Sequence, residues 1–145
     1  MKRAKRLQPV SQLMDELERE SALRVATTQN RLSEAQRRCG DLQRYLDEYR
    51  AMFSERARAG MGVSGMRDYQ TFIARLHEAV QAQQSVVDQI AAECEAEREL
   101  WAQAAARKTA VGRVINEAQS DERKAEDRRQ QHELDERAQR HRGSP

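Results

Sequence analysis

Three glycines in this sequence have a spacing that is associated with phosphate chemistry. Gly60, Gly62 and Gly65 match the GxGxxG pattern of dinucleotide-binding loops. That loop follows an apolar strand in a βαβ unit, whereas charged residues precede Gly60 and no strand pattern occurs anywhere in the chain. Because glycine adopts positive φ angles easily, the cluster predicts a reversal of the chain and no nucleotide site.

The histidines do not form a metal-binding pattern. His132-Glu133 begins like the HExxH zinc motif, but Glu136 stands where the second histidine ligand is needed, and His77-Glu78 lacks that ligand as well. The chain also has no P-loop lysine motif and no nucleophile paired with a base. We therefore expect no catalytic residues, no metal and no cofactor, and we predict that the protein is not an enzyme.

The composition indicates helices with a thin core. Of 145 residues, 34% are charged and only 4% are aromatic, and the two prolines, Pro9 and Pro145, lie near the ends. Between residues 10 and 142, only the glycine cluster and the isolated Gly40 and Gly112 interrupt a helical pattern. We predict an all-α fold, a long two-helix antiparallel coiled-coil hairpin with a C-terminal helical overhang, forming one domain over residues 1–145.

The charge balance disfavours nucleic acid as a partner, since 26 basic and 24 acidic residues leave a net charge of only +2. The basic N-terminus is not followed by the apolar region of a signal peptide, and no stretch approaches the roughly twenty apolar residues of a membrane span. We expect a soluble, intracellular protein.

Helix one is predicted over residues 7–57, with the basic N-terminal cluster as a solvated tail before it and Pro9 in its first turn. Its seam starts at Leu7, Val10, Met14, Leu17 and Ser21, and an eleven-residue unit then shifts the phase. From there the seam keeps heptad spacing up to the bend: Val25, Thr28, Leu32, Ala35, Cys39, Leu42, Leu46, Tyr49 and Phe53.

Helix two is predicted over residues 66–140, after a bend at residues 58–65. Its seam repeats at heptad spacing from Met66 to Ala118, with polar residues at Gln83, Glu97 and Lys108 that can fix the register. Beyond Ala118 the sequence is almost entirely charged or amide. The overhang is therefore expected to start at about residue 119.

An antiparallel hairpin closed near residue 61 pairs positions whose numbers add up to about 122. This register brings Leu32 opposite Ile90 and small Ser21 opposite bulky Trp101. It also leaves Cys39 and Cys94 about eleven residues out of step, or roughly 16 Å along the axis, so no intramolecular disulfide is expected.

Aromatic residues gather on the half of the hairpin near the bend. We define the aromatic patch as six residues at helical spacing on the two helices: Leu42, Tyr45, Tyr49, Phe72, Leu76 and Ala79. One interpretation is that they thicken a thin core near the bend. The other is that they form a partner-docking surface, since aromatic residues are enriched at interface hot spots.

Several segments resemble the flagellar FliJ family, whose members are small helical components of the type III flagellar export apparatus. The matching residues are Tyr45 to Arg50, the bend at Ala59-Gly60, Asp68 to Val80, Trp101, and Arg129 to Ala138. The resemblance covers almost the whole chain. It implies a coiled-coil stalk similar to the shaft of rotary ATPases, with roles in flagellum biogenesis, protein transport and chemotaxis.

The resemblance also implies partners and site residues. The terminal end of the hairpin would insert into the ring of the export ATPase FliI, and the chain would contact the export gate protein FlhA and export chaperones. The FlhA-facing surface carries over onto the aromatic patch together with Gln83. The ATPase-facing end comprises the first turns of helix one and the overhang, with these residues: Met14, Arg129, Leu134, Asp135 and Glu136.

By this resemblance the protein is cytoplasmic and sits peripherally at the inner-membrane flagellar base, where its partners hold it, and it is a monomer in isolation. The alternative is a self-associating structural coiled coil, a homodimer or filament without an ATPase partner. The glycine cluster and the matched seam lengths favour the hairpin over this alternative.

Overall fold

The computed structural model of the chain describes residues 2–143, and for Lys2 only the backbone. It contains two α-helices, α1 (Lys2–Ala59) and α2 (Val63–Arg142), and the described residues include no strand. The helices pack against each other as a hairpin, which confirms the predicted all-α fold.

The helix α1 begins at Lys2, five residues before the predicted start. The basic N-terminal cluster is therefore part of the helix, and Pro9 lies inside it instead of in its first turn. Packing explains the difference: Ala4 is buried, and its backbone N–H donates a hydrogen bond to Glu122 Oε1 of α2 at 3.4 Å. Contacts with α2 thus hold the helix together ahead of the proline, which removes one intrahelical hydrogen bond.

The bend is shorter than the predicted residues 58–65, because only residues 60–62 lie outside the helices. Gly60 has a φ of +93°, a conformation that L-residues with a side chain rarely adopt. Its N–H donates to the carbonyl of Ala57 at 3.4 Å, and the N–H of Met66 donates to the carbonyl of Gly62 at 3.0 Å. Gly60 therefore ends α1, and Gly62 leads into α2.

The two helices together form two compact units. The bend-proximal unit, Ala22–Leu100, has a core of Ala35, Val87 and Ile90, with Leu32 packed against it. Leu32, which was predicted to lie opposite Ile90, thus packs against the cluster that contains Ile90. Leu46 and Cys94 are the most enclosed side chains of this unit.

The cysteines of the bend-proximal unit are free and lie beside different glutamines. Cys39 Sγ is 3.6 Å from Gln84 Oε1, and Cys94 Sγ is 3.5 Å from Gln29 Oε1. These contacts agree with the predicted stagger of the two thiols.

The terminal unit, Met1–Ser21 with Trp101–Pro145, has a thinner interior of small and aliphatic residues: Ala4, Ser21, Ile115 and Ala118. The predicted seam is wrong here, because Val10 and Leu17 are 39% and 40% exposed. Polar Ser11 and Glu18 occupy the half-buried positions instead. The heptad phase of α1 is thus continuous from Ala4 to Phe53, and no eleven-residue shift occurs.

Glu18 can occupy the interface because α2 supplies polar partners for it. Trp101 Nε1 donates to Glu18 Oε1 at 3.0 Å, and Lys108 Nζ lies 3.8 Å from Glu18 Oε2 and 3.9 Å from Asp15. The Trp101 ring is consequently more than a third exposed and is not enclosed over Ser21 as the size compensation predicted. The polar seam residue Lys108 does contact the opposite helix, as expected of a register-fixing residue.

The overhang begins slightly later than residue 119. Ala118 is buried and Glu122 is half-buried, whereas every residue from Arg123 to Gly143 is exposed. The helix continues through this segment to Arg142 with ion pairs between its own turns, among them Arg129 with Glu126 at 2.7 Å.

Candidate partner-binding site

The aromatic patch lies within the bend-proximal unit, where α1 and α2 bring its rings together. The ring centroids of Tyr45 and Tyr49 are 5.2 Å apart, and those of Tyr49 and Phe72 are 4.6 Å apart. Both pairs are tilted, a geometry that aromatic quadrupoles favour. Tyr49 therefore links an aromatic residue of its own helix to one of the opposite helix.

The patch is partly core and partly surface. Leu42, Tyr49, Leu76 and Ala79 are half-buried, whereas Tyr45 and Phe72 are 49% and 39% exposed. Leu46, four residues after Leu42 along the seam, is almost completely enclosed. The interior is thus filled without the outer faces of Tyr45 and Phe72, and these faces remain available to a partner.

Gln83 differs from the other residues of the predicted surface because it has a structural hydrogen bond. Its Nε2 donates to the backbone carbonyl of Ala35 at 3.2 Å, and the side chain is half-buried. This bond satisfies a polar group inside the interface between the helices. Gln83 therefore sits at the margin of the patch and fixes the register there, as its seam position predicted.

Tyr45 influences the ionisation of Tyr49. The electrostatic interaction with Tyr45, followed by its hydrogen bond with Tyr45, raises the pKa of Tyr49 above the ordinary value. Partial burial and the more distant Tyr69 act in the same direction. The raised pKa favours the protonated form of Tyr49, in which the phenol can donate a hydrogen bond.

Two exposed residues that the sequence interpretation did not include adjoin the patch. Met52 follows Tyr45 by seven residues on α1, and Val86 follows Ala79 by seven residues on α2; they are 40% and 42% exposed. Seven-residue spacing places them on the same helical faces as the patch. That spacing could have identified them, since both are large apolar residues outside the seam.

The residues predicted for the ATPase-facing end lie in two places within the terminal unit. Met14 is half-buried in the interface between the helices, whereas Leu134 is 57% exposed on the overhang. Asp135 accepts a hydrogen bond from Gln131 at 3.2 Å, and Glu136 lies 3.2 Å from His132. Because these bonds join neighbouring turns of one helix, they support the overhang without a second helix.

In the terminal unit, α1 has an exposed apolar stripe that the sequence pattern did not reveal. Val10, Leu13 and Leu17 follow one another at steps of three and four, and each is at least 39% exposed. Two of them had been assigned to the interior, since hydrophobicity alone does not separate a seam from a neighbouring stripe.

An open groove of about 1050 Å³ adjoins the start of α1, and its walls include Ala4, Gln8, Gln119 and Ala125.

The described residues contain no group of three or more His, Cys, Asp or Glu side chains that could hold a metal ion. Within the same part of the chain, neither helix has a stretch apolar enough to cross a membrane.

Comparison with known proteins identifies a matching family. The model of the family described as flagellar FliJ protein matches residues 2–143, nearly the full length of the chain. Searches of curated proteins and of solved structures gave no significant match. The family match agrees with the hairpin of two long helices and with the segments that carried the resemblance. The chain belongs to the flagellar FliJ family, and it is a helical coiled-coil component related to flagellar protein export.

Proposed function

We propose that the protein is the stalk of a flagellar type III export apparatus, which inserts into the export ATPase FliI and contacts the export gate FlhA. The observation that carries this proposal is the family match over residues 2–143, together with the partly exposed aromatic patch within the matched segment. The protein would hydrolyse nothing itself. It would promote assembly and activity of the ATPase and couple it to the gate.

The gate contact is assigned to Leu42, Tyr45, Tyr49, Phe72, Leu76, Ala79 and, at the margin, Gln83. Large aromatic side chains with one enclosed face and one exposed face lose little conformational freedom on binding, so they make effective anchors. Tyr45 and Phe72 meet this description, because Tyr49 contacts both rings from the side of the core. We expect these two residues to dominate the binding energy.

The ATPase contact is assigned to the terminal unit: the first turns of α1, Met14, and the overhang with Arg129, Leu134, Asp135 and Glu136. Two features support this assignment. The overhang is helical although no second helix covers it, and Leu134 is a large apolar residue in an otherwise polar segment. The stripe of Val10, Leu13 and Leu17 adds exposed apolar area in the same unit.

The protein would have further partners besides FliI and FlhA. Export chaperones are further partners, nucleic acid is not, and the protein is held peripherally at the inner membrane by its partners. The nearly balanced charge of +2 supports the exclusion of nucleic acid, since a strong positive field is the usual basis of such binding.

The test uses the full-length chain with purified FliI and the cytoplasmic part of FlhA. We expect the chain to raise ATP turnover and ring assembly, and to bind FlhA. The substitutions Tyr45→Ala and Phe72→Ala should weaken FlhA binding by about tenfold or more, as expected for hot-spot residues, and leave ATP turnover unchanged. Leu23→Ala is the matched control, because Leu23 is exposed on the same unit outside the patch. Unchanged turnover and assembly with the wild-type chain would refute the stalk assignment.

A second candidate is the self-associating structural coiled coil. The exposed stripe of Val10, Leu13 and Leu17 favours it, because a second copy could cover this apolar surface. Sedimentation analysis of the chain alone separates the two functions. A monomer is expected for the stalk, and a stable dimer or filament that ignores FliI and FlhA would establish the alternative.

A further inference from the structure

The exposed apolar surface around the aromatic patch extends beyond the patch itself, and only its α1 edge carries a row of like charges. Tyr45 and Met52 lie in one heptad row of α1, and Phe72 and Val86 lie in one heptad row of α2. All four are large and between 39% and 49% exposed. In an antiparallel pair such rows face each other beside the seam, so the two helices form the walls of a shallow apolar groove.

The α1 edge of this groove is acidic. Asp41, Glu48 and Glu55 repeat at seven-residue intervals, so Tyr45 lies between the first two and Met52 between the last two. Asp41 is ion-paired with Arg44. Glu48 and Glu55 are exposed and enter no ion pair among the described residues. We call these three residues the acidic row.

The α2 edge has no matching charge. The corresponding positions beside Phe72, Ala79 and Val86 hold residues of mixed character: Asp68, Arg75, Ala82 and Gln89. Arg38 precedes Tyr45 by seven residues, so the heptad row of Tyr45 and Met52 has a positive charge at the end away from the bend. The groove is therefore apolar at its centre, negative along one side and bounded by an arginine at the end away from the bend.

We propose that this groove binds an amphipathic helix of a partner protein whose apolar face is bordered by lysine or arginine on the side that meets the acidic row. A third helix on two antiparallel helices buries apolar residues at the same heptad spacing that Tyr45, Met52, Phe72 and Val86 provide. The acidic row then sets the orientation of the bound helix, because charge complementarity at a rim fixes register and specificity. This inference rests on the proposed gate contact and names the chemistry of the segment that makes it.

A second copy of the chain does not fit this groove. A two-fold related copy would place its own acidic row, or its row with Asp68 and Arg75, against Glu48 and Glu55. Neither supplies a basic edge. An anionic membrane surface is disfavoured for the same electrostatic reason.

The test measures binding of two labelled helical peptides to the full-length chain by fluorescence anisotropy. Both have leucine at heptad a and d positions; one carries lysine along one edge, and the other carries glutamate there. We expect the lysine peptide to bind about tenfold or more tightly than the glutamate peptide, with a preference that falls as salt rises. Met52→Ser and Val86→Ser should each weaken the lysine peptide severalfold.

Charge reversal provides the decisive comparison. The double substitution Glu48→Lys and Glu55→Lys should reverse the preference, so that the glutamate peptide binds more tightly, while helical content remains that of the wild type. Glu78→Lys is the control, because Glu78 is an exposed carboxylate on the outer side of α2. Equal binding of both peptides, a preference that survives the double substitution, or a dimer of the chain that Met52→Ser and Val86→Ser dissociate would overturn the proposal.

The outcome is separable from that of the gate assignment. If FlhA fails to bind while the peptides behave as expected, the groove stands and the gate partner is wrong. If FlhA binds through Tyr45 and Phe72 and is indifferent to Glu48→Lys with Glu55→Lys, the gate assignment stands and the basic-edged helix is refuted.

Discussion

Ser21 is almost completely buried in the terminal unit, and its Oγ atom has no hydrogen-bond partner among the described residues. A buried polar atom without a partner destabilises the folded state. Ser21→Ala removes this atom and also improves helix propensity. We expect the free energy of unfolding to rise by about 1 kcal/mol in urea denaturation.

The control for this prediction is Ser33→Ala, because Ser33 is exposed on the same helix. It gains only the helix propensity, a few tenths of a kcal/mol. Equal stabilisation by the two substitutions would mean that the hydroxyl of Ser21 finds a partner in solution.

A second prediction concerns the ionisation of Tyr49. Because the interaction with Tyr45 raises the pKa of Tyr49, its protonated form is favoured in the folded state. The resulting stability is fully present below the ordinary tyrosine pKa and is lost as the pH rises through the raised value. Ultraviolet titration of the tyrosines should therefore show one late-titrating phenol.

Tyr45→Phe should move that titration towards the ordinary value, since Tyr45 is the largest cause of the shift. Tyr69→Phe is the comparison, because Tyr69 contributes least. A larger effect of Tyr69→Phe would contradict the arrangement of the patch.

At the scale of the elements, the bend depends on one glycine more than on its neighbours. Gly60 has φ of +93°, whereas Gly62 has no positive φ, and an added Cβ meets no atom within 4 Å at either position. Gly60→Ala should therefore destabilise the hairpin by about 1–2 kcal/mol through backbone strain alone. Gly62→Ala should change the stability by less than about 0.5 kcal/mol. Thermal unfolding of both variants checks this, and similar losses would refute the special role of Gly60.

The helices also show what the sequence could predict. The seam of α2, apart from the exposed Trp101, and the register were predicted correctly, because apolar residues repeat over many heptads and polar Gln83 and Lys108 find partners across the interface. The predicted seam in the first turns of α1 was wrong because Val10 and Leu17 are more apolar than Ser11 and Glu18, which occupy the half-buried positions. The long seam of α2 fixes the phase, and Glu18 is stabilised there by Trp101 and Lys108, which no local pattern reveals.

The candidate site was partly predictable for a related reason. Tyr45 and Phe72 stand out as aromatic residues in a chain with few of them, so composition and spacing point to them. Met52 and Val86 are ordinary apolar residues that only their seven-residue spacing from the patch could have marked, and their degree of exposure is evident only in the folded hairpin. Exposure depends on the packing of both helices and is not encoded in either helix alone.

At the scale of the whole molecule, the two chain ends should differ in their importance for stability. Residues 123–143 are exposed, whereas Ala4 is buried and bonded to α2. Removal of residues 130–145 should lower the helical signal and leave the unfolding midpoint nearly unchanged. Removal of residues 2–8 should lower the midpoint, because it exposes the packed surface around Ile115 and Ala118. Circular dichroism during heating distinguishes the two truncations, and a large loss of stability from the C-terminal truncation would show that the overhang packs on the hairpin.

The polar side chains that cross the interface of the bend-proximal unit have a mechanical consequence. Gln83 binds the carbonyl of Ala35, Arg31 pairs with Glu93 at 3.0 Å, and Arg98 binds Gln29 at 2.7 Å. Sliding one helix along the other by a heptad, about 10 Å, would break all three bonds at once. A purely aliphatic seam would offer new apolar neighbours after such a slip, but the pairing of Arg31 with Glu93 would be lost. Under axial load, the two helices of this unit should therefore resist shear and transmit force as one body.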